Sequence, residues 1–128
     1  RVVVAWQWLR HEPPLESEPV TLFRPRYYIV GSWTDWAQKQ SLRWTGYCYE
    51  FIVEIGDGGT ESFQLLQEAN WKRRLHPDAR HASPHEPHEL IGPDSEKATG
   101  MNWTIGRHPR DDAEPGARYT VRLYVNSR

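Results

Sequence analysis

The sequence predicts an all-β chain, an antiparallel β-sandwich of about seven short strands. Three observations carry the prediction. Residues 47–55 (YCYEFIVEI) and 118–125 (RYTVRLYV) alternate with the two-residue period of a strand that buries one face. Gly56-Asp57-Gly58-Gly59 separates the first of these runs from residues 61–68 (ESFQLLQE), which is the signal of a hairpin turn. Ten prolines and nine glycines interrupt the 128 residues, and no stretch keeps an amphipathic helical period long enough for a useful helix.

The elements follow in chain order. Residues 2–9 (VVVAWQWL) are β-branched and aromatic, and as a strand they place Val2, Val4, Trp6 and Trp8 on one face. Residues 10–26 carry Pro13, Pro14, Pro19 and Pro25 among charges, so they read as an extended arm. The expected division is therefore an N-terminal strand and arm over 1–25, one reading being the end of a preceding module, and a sandwich over 26–128. Residues 26–33 (RYYIVGSW) form a short strand ending at Gly31, and residues 34–40 a surface loop. In 47–55, Tyr47, Tyr49, Phe51, Val53 and Ile55 are expected to face inward, with Cys48, Glu50, Ile52 and Glu54 outward. The return strand places Phe63 and Leu65 in the core. Residues 76–98, with four prolines and four histidines, read as a long polar loop. Residues 102–106 (NWTIG) make a short strand, 111–116 a turn-rich connection and 118–125 the last strand. The expected core includes Tyr49, Phe51, Val53, Phe63, Leu65, Trp103, Val121 and Leu123.

Composition excludes several classes. Sixteen basic and seventeen acidic residues nearly cancel, so no electrostatic case exists for nucleic acid or a membrane surface. No run approaches the 18 apolar residues of a membrane span. Cys48 is alone, which rules out an internal disulfide framework and a multi-cysteine zinc finger. No signal peptide is visible and the first residue is Arg1, so a processed chain or a fragment is expected and no compartment is assigned. No cofactor is expected. His76, His81, His85 and His88 invite a metal reading, with Glu86 and Glu89 nearby, but the segment is broken by proline and lacks a helical ligand spacing, so a solvated loop is preferred. Ser32 and Ser62 lie in no nucleophile elbow, and Asp35, Glu54, Glu61, Glu68 and Asp78 read as strand and loop carboxylates rather than a catalytic pair. The chain is not expected to be an enzyme.

The tryptophans are the informative residues. Seven exceed what one small core needs. Trp44 and Trp103 read as core. Trp33 and Trp36 flank a surface turn, where folding gives no reason for an indole, and Trp71 closes the return strand after Ala69-Asn70. An exposed indole beside amides suits stacking on the C–H face of a sugar ring, with Asn and Gln reaching the hydroxyls at its edge.

The stretches YYIVGSWTDW, GYCYEFIVEIG, SFQLLQEANWKRRLHPD and NWTIG, in that order, resemble the starch- and glycogen-binding modules of carbohydrate-binding families 20 and 48. The resemblance covers about residues 26–126. It implies an immunoglobulin-like β-sandwich and a non-catalytic α-glucan site. It implies that Trp36 and Trp71 are the binding indoles, that Asn102 contacts glucose hydroxyls and that Gln64 stands where members commonly carry lysine. Ala69-Asn70 replaces the usual Asp-Gly before Trp71, and the aliphatic residue expected before Asn102 falls near Ala98, with Met101 as a substitute. A second reading makes the same sandwich a structural or protein-interaction module of a larger assembly, its partner or neighbouring module meeting the strand of Trp6 and Trp8.

Overall fold

The computed structural model of the chain describes residues 2–8, 24–94 and 96–125, with residues 2, 3, 7 and 8 described through their backbone alone. The described residues form eleven strands, where about seven were expected. They are β1 (Val2–Trp8), β2 (Tyr27–Gly31), β3 (Gln40–Ser41), β4 (Arg43–Trp44), β5 (Tyr49–Glu54), β6 (Glu61–Gln67), β7 (Arg74–Pro77), β8 (His81–Ala82), β9 (Leu90–Asp94), β10 (Asn102–Ile105) and β11 (Arg118–Val125). The additional strands are pieces of two to five residues with too little periodicity to stand out in the sequence. Two single 3-10 turns, Ser32–Thr34 and Pro109–Asp111, complete the order. Among the described residues no helix is long and apolar enough to cross a membrane.

Two sheets face each other. One has the order β1-β11-β5-β4, and the other runs β3-β2-β6-β10-β8, with β7 beside β6 and β9 beside β7. Alternation puts Ile29, Phe63, Leu65, Trp103 and Ile105 of the larger sheet against Val53, Tyr119, Val121 and Leu123 of the smaller, all at most 2% exposed. Phe63 anchors the layer, with Trp103 stacked at 5.5 Å and Trp6 edge-on at 5.7 Å.

β1 pairs with β11 from Val2 to Trp8, so this strand belongs to the four-stranded sheet and the expected boundary at residue 25 does not separate it from the sandwich. Trp6 is a core residue at 6% exposure, and its Nε1–H donates to the buried Asp111 Oδ1 at 3.1 Å. It therefore cannot be the partner-facing surface expected of it. The Trp8 side chain and the proline-rich arm over 10–23 lie outside the described residues.

Tyr47 is also misplaced by the sequence reading, at 69% exposure. A tight turn closes between Thr45 and Cys48, with the Thr45 amide donating to Cys48 O at 2.9 Å and Gly46 at φ 104. The alternation therefore begins at Tyr49, not Tyr47. Cys48, expected outward, is buried against Thr45. Phe51 is half-buried at the rim of the core, where it stacks on Trp33 with ring centroids 6.0 Å apart.

The segment 76–98 is pinned by short strands although most of it has no regular structure. β7 ends within it, and β8 and β9 lie wholly inside it. Pro77 ends β7, and Pro93 is tolerated because β9 is an edge strand, paired among the described residues with β7 alone.

On one side β6 pairs with β2 from Phe63 to Gln67. On the other side the sheet forks. β10 takes Glu61, Ser62 and Phe63, and β7 takes Leu65 and Leu66. Gln64 stands at the fork.

Candidate functional site

A cleft of about 300 Å³ opens over this fork, lined by Trp36, Gln64, Trp71, Arg74, Thr99, Gly100 and Asn102. All four residues expected to form a sugar site are therefore in one wall system. β10 supplies Asn102, β6 supplies Gln64 and β7 supplies Arg74, while turns supply the two indoles.

Trp36 comes from the turn after β2. The Ser32–Thr34 3-10 turn ends with Asp35 at φ 55 and Trp36 at φ 63, and the Trp36 amide donates to Gly31 O at 2.9 Å. Trp71 follows a second turn, in which the Asn70 amide donates to Gln67 O at 3.1 Å and the central residues Glu68 and Ala69 both have φ 57. Two left-handed central residues define a type I′ turn, which favours Asn-Gly rather than Glu-Ala. Thus four of the five non-glycine residues with positive φ among the described residues belong to the two turns that present the indoles. Backbone strain of this kind costs about 1–3 kcal/mol per residue and concentrates at ligand-facing positions. Trp71 is 38% exposed and Trp36 half-buried.

Gln64 lines the cleft but does not project from it. It is 2% exposed, and its Nε2 donates to both Ala98 O and Met101 O (2.9 Å). Both amide protons are consumed in holding residues 98–101 across the fork, so the group it can offer a ligand is the acceptor Oε1. Gln64 thus faces this side of the sheet but is covered by residues 98–101. Ala98, anticipated as a short stand-in for a binding aliphatic, is fully buried. Asn102 is half-buried at the start of β10.

Arg74, Thr99 and Gly100 were missed. Arg74 had a signal: Leu75 faces the core, so its neighbour must face out, but the strand was not recognised. Its guanidinium carbon lies 5.8 Å from the Trp71 ring centroid, at the outer limit of a cation–π contact. Residues 99 and 100 reach the cleft through a loop whose path no local pattern encodes.

Trp33 has a folding role after all. Its Nε1–H donates to Gln40 Oε1 at 2.7 Å, and its ring fills the space beside Gly31, where a Cβ would come within 2.2 Å of Cζ3. Trp44, half-buried, packs on Tyr49 and lies under the Arg24 guanidinium at 4.4 Å.

The four histidines of 76–98 are tied into separate contacts. His76 is buried between Pro77 O (2.9 Å) and Asp94 Oδ1 (3.2 Å). His81 meets Thr104 Oγ1 at 3.0 Å, and His85 meets Asp111 Oδ1 at 2.8 Å. His88 accepts from Trp103 Nε1–H at 3.0 Å, so its other nitrogen carries the proton that it donates to Glu86 O. Among the described residues no three His, Cys, Asp or Glu side chains are grouped to hold a metal ion. Burial pushes the Cys48 thiol up, and the opposing hydrogen bond from Thr45 is the smaller effect, which is the reverse of an activated nucleophile.

Comparison of the chain with protein-family models, with curated proteins and with solved structures returns no match.

Proposed function

We propose that this sandwich is a non-catalytic α-glucan-binding module. The observation that carries the reading is that Trp36 and Trp71, held by two separate strained turns, line one cleft with Asn102 and the Gln64 amide. Two indoles on different supports suit a curved α-1,4-linked chain better than a flat β-1,4 chain. Each indole face covering a sugar removes some tens of Å² of apolar surface from water, worth roughly 1.5–2 kcal/mol, so two platforms and a few hydrogen bonds support affinity on the order of μM to mM.

Affinity electrophoresis in gels containing soluble starch, glycogen or hydroxyethyl cellulose tests the reading. Retardation by the two α-glucans and not by the cellulose is expected, and Trp71→Ala should abolish it while leaving the far-UV spectrum intact. A wild-type chain that runs unretarded in all three gels refutes the reading. The second reading, a protein-interaction module, draws on a different observation: Tyr47 and Tyr124 are exposed aromatics at 69% and 41%.

A further inference from the structure

Among the described residues, the sheets end on β1 and β4 in the smaller and on β3, β8 and β9 in the larger. An edge strand presents a row of unpaired backbone N–H and C=O groups, and proteins blunt such rows by shortness, proline, bulges or charge. Every edge but one is blunted in this way. β3, β4 and β8 are two residues long. β9 contains Gly92 and Pro93, ends on Asp94 and shifts register against β7. β1 has none of these features. It pairs with β11 from Val2 to Trp8 without a register shift, and that stretch holds no charge, no proline and no glycine. β9 passes near β1 but hydrogen-bonds within the larger sheet.

We propose that the outer edge of β1 pairs antiparallel with β1 of a second copy of this chain, joining two four-stranded sheets across a two-fold axis. The occupant follows from what such an axis demands. The contact is isologous, so a charge at the axis would meet its own copy, and like charges directly opposite on neighbouring strands repel. A register centred on Ala5 sets Val4 opposite Trp6 of the second copy, Val3 opposite Gln7, Val2 opposite Trp8 and Ala5 opposite Ala5, all of them neutral. Val4 and Trp6 are buried at 5% and 6%, so the pairing runs the inner layer of one sandwich on into the other. Ala5, between them, is half-buried on the outer side of the sheet, where its short side chain leaves room at the axis. The contact is made by the backbone of β1, and Trp6 keeps its bond to Asp111. It does not depend on what the cleft binds.

Sedimentation equilibrium of the full chain, from dilute to concentrated samples, tests this with two variants at the axis. The wild type should approach twice its 15.1 kDa monomer mass as concentration rises. Ala5→Lys and Ala5→Glu each set like charges opposite one another, and each should raise the dimer dissociation constant about fivefold at low salt. An equimolar mixture of the two should recover wild-type association, because Lys then faces Glu, and that recovery also shows both variants to be folded. Hydrogen exchange reads the same edge without a mutation. The β1 amides directed away from β11 should be protected in concentrated samples and exchange in dilute ones. A chain that stays monomeric at every concentration overturns the proposal, whether those amides exchange freely or are protected by residues 9–23 of the same chain. A dimer that neither variant weakens, or that the mixture does not restore, makes its contact elsewhere and overturns it too.

Discussion

Gln64 shows how one side chain can be placed in the right cleft for the wrong reason. Its position between inward Phe63 and Leu65 marks it as facing the opposite side of the sheet, and it does face that side. Residues 98–101 then cover it, and its amide becomes the bolt that holds them across the fork between β7 and β10. Restoring the lysine of the resembled family therefore does not supply a donor to a ligand. Gln64→Lys removes two buried hydrogen bonds and puts a charge in their place. The expected result is a loss of about 2–4 kcal/mol in a urea titration and weaker retention on starch gels. An unchanged midpoint with stronger retention would show that the side chain swings out into the cleft.

At the scale of elements, the two indole-bearing turns carry the strain of the molecule and the strands carry its stability. β6 and β11 follow the alternating pattern, with Phe63, Leu65, Tyr119, Val121 and Leu123 all buried. The turn after β6 is held in type I′ geometry by residues poorly suited to it, since a Cβ in the left-handed region costs about 1–2 kcal/mol. Ala69→Gly should accordingly raise stability by about 1 kcal/mol after allowing for the extra freedom glycine has when unfolded. Equilibrium denaturation would measure this, and a destabilised variant would mean that the Ala69 side chain makes a contact worth more than the strain. The same pattern explains why the turn was legible only in part: Trp71 was visible as an indole without a core role, but the left-handed pair before it is not what Glu68-Ala69 suggests.

For the whole molecule, several acidic side chains titrate in one direction. Burial pushes Tyr119 up to about 12, and its neighbour Asp111 adds to the rise. Tyr49, Tyr124 and Cys48 are raised too, burial being the largest cause in each. A raised folded-state value stabilises the fold below the ordinary value, and that stability is lost as pH rises through the folded one. For Tyr119 the loss falls between about pH 10 and 12 and amounts to roughly 2–3 kcal/mol. Melting curves should therefore be insensitive to Tyr119 at neutral pH and fall steeply above pH 10. Tyr119→Phe gives up the hydroxyl that donates to Asp111 O at 2.6 Å, costing about 1 kcal/mol at pH 7, and should flatten the alkaline fall. Parallel alkaline profiles of variant and wild type would exclude Tyr119 as its source.

The sequence by itself determined that this chain is a β-sandwich (antiparallel but for the joining of β8 to β10) and which strands form its centre, and it singled out Trp36 and Trp71 as indoles outside that centre. Those properties follow from local period and turn chemistry: β5, β6, β10 and β11 each declare a buried face within four to eight residues. Only the tertiary structure decided that β1 completes the smaller sheet, that Trp6 and Trp33 serve the fold, and that Arg74 joins Trp36 and Trp71. Each of these depends on a partner far away in the chain, as Trp6 depends on Asp111. A two-residue ladder strand such as β8 has no pattern of its own, because its conformation is set by the neighbour it hydrogen-bonds, Asn102 and Trp103 of β10. The cleft has the same origin. It exists because β6 changes partner from β10 to β7 on either side of Gln64, an event that long-range pairing produces and local sequence does not encode.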